Sequence, residues 1–243
     1  MDSFAPETIV IAVAVGALAG VIRGITGFGG AMVMAPPLAL LLGPLLAVPV
    51  VLLLESLAAV PMLVQTRQLV RWRVIGPIIA AACVSFPLGG YILVSADPHF
   101  LRRAIAATVI VFALLLLRGW RYAGAQRTAT SAGLGALAGA MAGATSISGP
   151  PVILYLLAGP DTIETTRANL TFYVAASAAA GIAMLFAGGL LDPRAAGIAL
   201  ALAPGYFFGT VAGARLFSRF NDRRFRQLTL ILMVAVSGVI LLA

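Results

Sequence analysis

The sequence predicts an all-α integral membrane protein of two inverted repeats, each a re-entrant or broken helical hairpin followed by three transmembrane helices. Three observations predict it. The 243 residues are 61% hydrophobic and 10% charged, with a mean hydropathy of +1.07; a soluble domain carries about a quarter of charged residues. Apolar runs such as 103–118 and 228–243 approach the roughly 20 residues that cross a bilayer. One glycine-rich pattern also occurs twice.

That pattern organises the chain. Residues 16–26 read GALAGVIRGIT and residues 135–145 read GALAGAMAGAT, an offset of 119. A break follows each copy: Gly27-Phe28-Gly29-Gly30 with Pro36-Pro37 beyond, and Ser146-Ile147-Ser148-Gly149-Pro150-Pro151. A Gly-Pro pair closes each unit, at Gly43-Pro44 and Gly159-Pro160. Three longer segments then follow, roughly 46–65, 74–95 and 101–118 in one half and 166–187, 195–215 and 225–243 in the other. The repeats are therefore 1–128 and 129–243, together one transmembrane domain. The opening segment 8–22, taken as fifteen residues, rises about 22 Å against a core of about 30 Å. Segments 31–42 and 150–158 are shorter still. Each half is expected to open with a pair of helices that enters the membrane and turns back.

Charge sets the topology. The sequence has sixteen Arg, no Lys and a formal charge of +8. With hairpins, one side collects Arg67, Arg71, Arg73, Arg118, Arg121, Arg127, Arg167, Arg215, Arg219, Arg223, Arg224 and Arg226, twelve against Arg102, Arg103 and Arg194 on the other. With single spans the division is seven to eight. Cytoplasmic loops collect Arg and Lys, so hairpins are expected. A hairpin plus three spans makes the second half enter from the opposite side, the inverted-repeat plan of many secondary transporters. Both termini are then periplasmic, and Trp72 and Trp120 flank cytoplasmic Arg as interfacial anchors. The same topology accounts for the basic charge without nucleic acid, and the expected location is a bacterial inner membrane.

Non-helical backbone at membrane depth is tolerated where protein or a watery cavity surrounds it. The two breaks are therefore expected to meet near the midplane and form a substrate site. The first supplies Thr26, Gly27, Phe28, Gly29 and Gly30; the second supplies Thr145, Ser146, Ser148, Gly149 and Pro150. Helices that begin after the breaks aim their N-terminal ends at the pocket, which suits an anion. The diprolines fit first-turn positions, where no amide hydrogen is needed. Arg23, four residues before the break, offers a fixed positive charge to substrate or a partner to Glu55. Glu55, at VVLLLESLA, is a coupling candidate, and Arg167 and Asn169 are expected to gate or line the site. Close packing of small residues is the competing account of GALAG.

Other chemistry is poorly supplied. Cys83 and His99 are each the sole residue of their type, so no zinc, haem or iron–sulfur ligand set is available, and no cofactor is expected. A phosphate-binding GxxxxGK[ST] loop requires the absent Lys. An intramembrane protease needs a serine with a base or paired aspartates, and His99 falls in a predicted loop. The chain is read as a transporter and not an enzyme. A channel or a non-transporting assembly subunit is the alternative.

The segment GALAG-x-x-x-G-x-T-G-F-G-G, its echo before Ser148-Gly149-Pro150-Pro151, the stretch Gly188-Gly189-Leu190-Leu191-Asp192 and the closing Gly209–Phe220 run resemble the sulfite exporter TauE/SafE family over nearly the whole chain. The resemblance implies a multi-pass inner-membrane transporter, an exporter of small anions such as sulfite, sulfonates or short organic acids. Its partners are then a small anionic substrate and the lipid bilayer; homodimer assembly is permitted.

Overall fold

The structure, a computed structural model, describes residues 6–26, 29–120, 122, 124, 126–189, 191–217 and, between 230 and 241, all but 232 and 236. The helices are α1 (Pro6–Thr26), α2 (Gly30–Leu42), α3 (Pro44–Thr66), α4 (Trp72–Ser95), α5 (Pro98–Leu117), α6 (Thr128–Thr145), α7 (Gly149–Leu156), α8 (Ile163–Ala187) and α9 (Pro193–Phe217), with a 3-10 turn at Arg67–Leu69. The described residues of 230–241 are also helical, and no strand occurs among the described residues.

Local chemistry explains the starts. Asp97 caps α5, accepting from the amides of His99 at 2.8 Å and Phe100 at 3.0 Å, with Pro98 in the first turn. Thr162 caps α8 through the amide of Thr165 at 3.3 Å. Gly43, at φ +79°, turns the chain from α2 into the Pro44 start of α3. Five helices, α1, α4, α5, α8 and α9, are long and apolar enough to cross a membrane. Their outward side chains suit lipid: Val84 is 81% exposed and Phe208 78%.

Two expectations need correcting. The opening helix is not fifteen residues: α1 has 21, because Glu7 and the Arg23–Thr26 stretch continue it at either end. It is long enough to span, so the break comes after a full-length helix. The first diproline does not start a helix either. Pro36 and Pro37 lie inside α2, because α2 begins at Gly30, whereas Pro150 and Pro151 do occupy the first turn of α7.

GALAG is a packing surface. A Cβ on Gly20 or Gly24 would strike the carbonyls of Tyr206 and Thr210, so the backbones of α1 and α9 touch. A Cβ on Gly139 or Gly143 would strike the carbonyls of Ala82 and Phe86, which brings α6 equally close to α4. In both pairs the contact numbers rise together, so α1 runs parallel to α9 and α6 parallel to α4. The first helix of each half thus packs on the fourth helix of the other. Small residues permit this approach where lipid supplies no hydrophobic drive between helices. Helices α3 and α8 also pack against each other.

Candidate functional site

Arg23 is only 1% exposed, near the end of α1. Its Nη1 forms an ion pair with Oε2 of Glu55, buried halfway along α3. The other carboxylate oxygen accepts the hydroxyl hydrogen of Tyr206, on α9, at 2.7 Å. A side chain at position 30 would collide with Oε1 of Glu55 and the Tyr206 hydroxyl, so only glycine lets α2 start against this trio. Gly29, before it, has a left-handed φ of +91°. Two groups of the Arg23 guanidinium, Nε and Nη2, have no hydrogen-bond partner.

The second break faces the first. Ser146 ends α6 at φ +60°, a left-handed conformation that costs a non-glycine residue about 1 kcal/mol. Its hydroxyl donates to the Thr145 carbonyl at 2.5 Å. The Thr145 hydroxyl is spent locally, donating to the Met141 carbonyl at 2.7 Å and accepting from the Ile147 amide at 3.2 Å. Ser148 precedes α7 without capping it by its side chain, and is buried. The proline nitrogens at 150 and 151 carry no hydrogen, so α7 offers fewer free amides than α2.

Between the breaks lies a cavity of about 20 Å³. Arg23, Glu55, Gly29, Ser146, Ser148, Gly149 and Pro150 reach it, together with Ser177 of α8. At the repeat offset of 119, Arg23 corresponds to Ala142, Gly29 to Ser148 and Ala31 to Pro150, and each of these pairs lines the cavity. The cavity therefore sits where the two repeats meet, while its charges come from the first repeat alone. Its size suits one water and not an anion of several heavy atoms.

Some expected residues lie elsewhere. Gly27 and Phe28, and the side chain of Thr26, fall outside the described residues. Gly30 and Thr145 are buried beside the cavity-lining residues. Asn169 and Arg167 do not line the cavity. The amide oxygen of Asn169 instead accepts from the backbone of Arg71 at 2.8 Å, at the start of α4, and Arg71 also forms an ion pair with Asp161. Tyr206 and Ser177 were not among the sequence candidates. Both are polar side chains in apolar spans, a signal open to reading, but Tyr206 is joined to Glu55 across 151 residues. A wider cavity, about 660 Å³, opens between the α2–α3 turn, the α4–α5 turn and the end of α8, with Arg102 and Asp192 on its wall. It is largely apolar and does not include the breaks.

A family model described as sulfite exporter TauE/SafE matches residues 12–240. The chain belongs to the TauE/SafE family. Neither a curated protein nor a solved structure matches it. As a TauE/SafE protein with five apolar helices of spanning length, it is a multi-pass membrane transporter from a family of sulfite exporters. In this TauE/SafE chain the cavity between the breaks is lined mostly by apolar surface, with Arg23, Glu55, Ser146, Ser148 and Ser177 as its polar side chains.

Proposed function

We propose that this TauE/SafE protein is a secondary transporter that exports a small anion, such as sulfite, a sulfonate or a short organic acid. It does so by alternating access around the cavity between the two breaks. The single observation that carries this reading is Arg23. Its Nε and Nη2 groups are buried at the cavity with no partner, and a guanidinium fork matches the oxygens of an oxyanion. Ser148 and the start of α2 add donors. Glu55 is the one carboxylate among the described residues lining the cavity, and it already holds Arg23 and Tyr206. A cation site would need several such oxygens. With room for one water, the cavity corresponds to an occluded conformation; rocking of one repeat against the other would open it.

The reciprocal packing of α1 on α9 and α6 on α4 supports two inverted repeats, 1–128 and 129–243, in a bacterial inner membrane. The 67–71 turn then faces the cytoplasm and both termini the periplasm. Arg167 and Asn169 belong to the cytoplasmic mouth, as gating residues.

Purified protein in liposomes tests the reading. Saturable uptake of radiolabelled sulfite or sulfoacetate, accelerated by the same anion on the other side, is the expected result. Arg23→Lys and Ser148→Ala should each weaken sulfite binding by about fivefold to tenfold in calorimetry, the loss of one charge-assisted hydrogen bond. Binding of a cationic amine with no response to any of these anions overturns it.

A further inference from the structure

Eight buried side-chain nitrogen or oxygen atoms of the described residues have no hydrogen-bond partner, and four of them lie on α8: Asn169 Nδ2, Thr171 Oγ1, Tyr173 Oη and Ser177 Oγ. Such groups are rare in folded proteins, and each calls for a reason. They are more costly in a membrane, where water is scarce. Asn169, Tyr173 and Ser177 are spaced by four residues and so share one face of the helix. Along the axis they cover about 12 Å. Thr171 points to the other side of α8.

The three groups connect two places already described. Ser177 lines the central cavity. The hydroxyl of Tyr173 lies beside those of Ser177 and Ser148, without closing a hydrogen bond to either. Asn169 stands at the far end, against Arg71 and its ion pair with Asp161. Its amide oxygen is taken by the Arg71 backbone, which leaves the NH2 group, a pure donor, as the unpaired end. Tyr173 and Asn169 are both 0% exposed and Ser177 is 2% exposed, and the cavity stops at Ser177.

We propose that Asn169, Tyr173 and Ser177 are the rungs of the path by which the anion moves between the central cavity and the membrane face carrying the 67–71 turn, and that the Arg71–Asp161 pair closes its mouth. This rests on the anion-transport reading of the cavity and extends it to a route. A row of unpaired donors is unfavourable while the path is shut and is satisfied when an oxyanion or its water passes. The same row disfavours cations, which find no free carboxylate on it. Tyr173 is a positioning residue midway, handing the anion from the Ser148 and Ser177 hydroxyls to the Asn169 amide.

The test separates route from site. In a Cys83→Ala background, Ser177→Cys, Tyr173→Cys and Asn169→Cys are exposed to impermeant methanethiosulfonate reagents from each membrane face in turn. Reaction from the 67–71 face, faster for the anionic than for the cationic reagent and slowed by sulfite, is expected. Thr171→Cys should stay unreactive. The sidedness and charge preference of the labelling do not depend on sulfite being the substrate, so they test the route even if protection by sulfite fails and the functional reading falls. Tyr173→Phe, which keeps the ring, should leave sulfite affinity within about twofold and lower the transport rate by about tenfold, one lost hydrogen bond in the path. Unreactive cysteines at all three positions, or a Tyr173→Phe protein that transports at the unaltered rate, overturns the proposal.

Discussion

Tyr206 donates its hydroxyl hydrogen to Oε1 of Glu55 at 2.7 Å, while the other oxygen of that carboxylate holds Arg23. One side chain of α3 thereby ties α1 and α9 together at the level of the first break. The glycine contacts of α1 with α9 lie along the same line, at Gly20 against Tyr206 and Gly24 against Thr210. The polar trio and the small-residue seam are one structural unit, and it borders the cavity.

Breaking this pair leaves an uncompensated buried charge. Arg23→Ala and Glu55→Ala are each expected to destabilise the protein by about 3–5 kcal/mol. The double substitution should cost less than the sum of the two, because neither charge is then stranded. Thermal unfolding in detergent of the four proteins of this cycle measures the coupling. Additive losses would show that the two side chains do not interact.

Glu55→Gln keeps the side chain's shape and one of its two acceptor oxygens, enough for Arg23 or Tyr206 but not both as now arranged, while removing the titrating group. Sulfite binding should persist and the pH dependence of sulfite flux in liposomes should change, since a carboxylate beside an anion must be paired or protonated. Flux of the variant that matches the unaltered protein at every pH tested removes Glu55 from the mechanism.

The glycine seams predict a sharp positional contrast. Gly139→Val and Gly24→Val drive a side chain into the backbones of α4 and α9 and should cost more than the roughly 1–3 kcal/mol typical of overpacking. Gly76→Ala, which meets no atom within 4 Å, should be neutral or gain a few tenths of a kcal/mol from helix propensity. Melting temperatures of the three variants decide it; equal behaviour at 24, 76 and 139 would dissolve the seam.

Topology is open to labelling. In a Cys83→Ala protein, single cysteines at 68, 122 and 126 should react with impermeant reagents from the cytoplasmic side, and cysteines at 97 and 192 from the periplasmic side. Residues 97 and 192 lie in the turns before α5 and α9. Periplasmic reaction at 122 would remove the inverted-repeat reading.

Several parts of this molecule are fixed by sequence. Composition demands a lipid environment, since 10% charged residues cannot cover a soluble surface. The repeated GALAG motif divides the chain, and the Gly43-Pro44 pair closes its first unit where α2 gives way to α3, because glycine and proline act within a few residues of themselves. The extent of α1 was not legible. Apolar continuity stops before Arg23, an ionic residue that reads as a helix end, yet α1 continues through it to Thr26 and Glu55 pairs the buried guanidinium.

Pairings across the chain required the tertiary structure. Glu55 and Arg23 each invite a partner on sequence grounds, but that Tyr206 shares the carboxylate depends on α9 lying parallel to α1. That Asn169 spends its oxygen on Arg71, and that unpaired donors run along α8 to the cavity, depends on how α4, α7 and α8 converge. Hydropathy, caps and turns are local and survive in one dimension. Which buried polar atom finds a partner, and which is left without one, is decided only when helices distant in sequence are packed against each other.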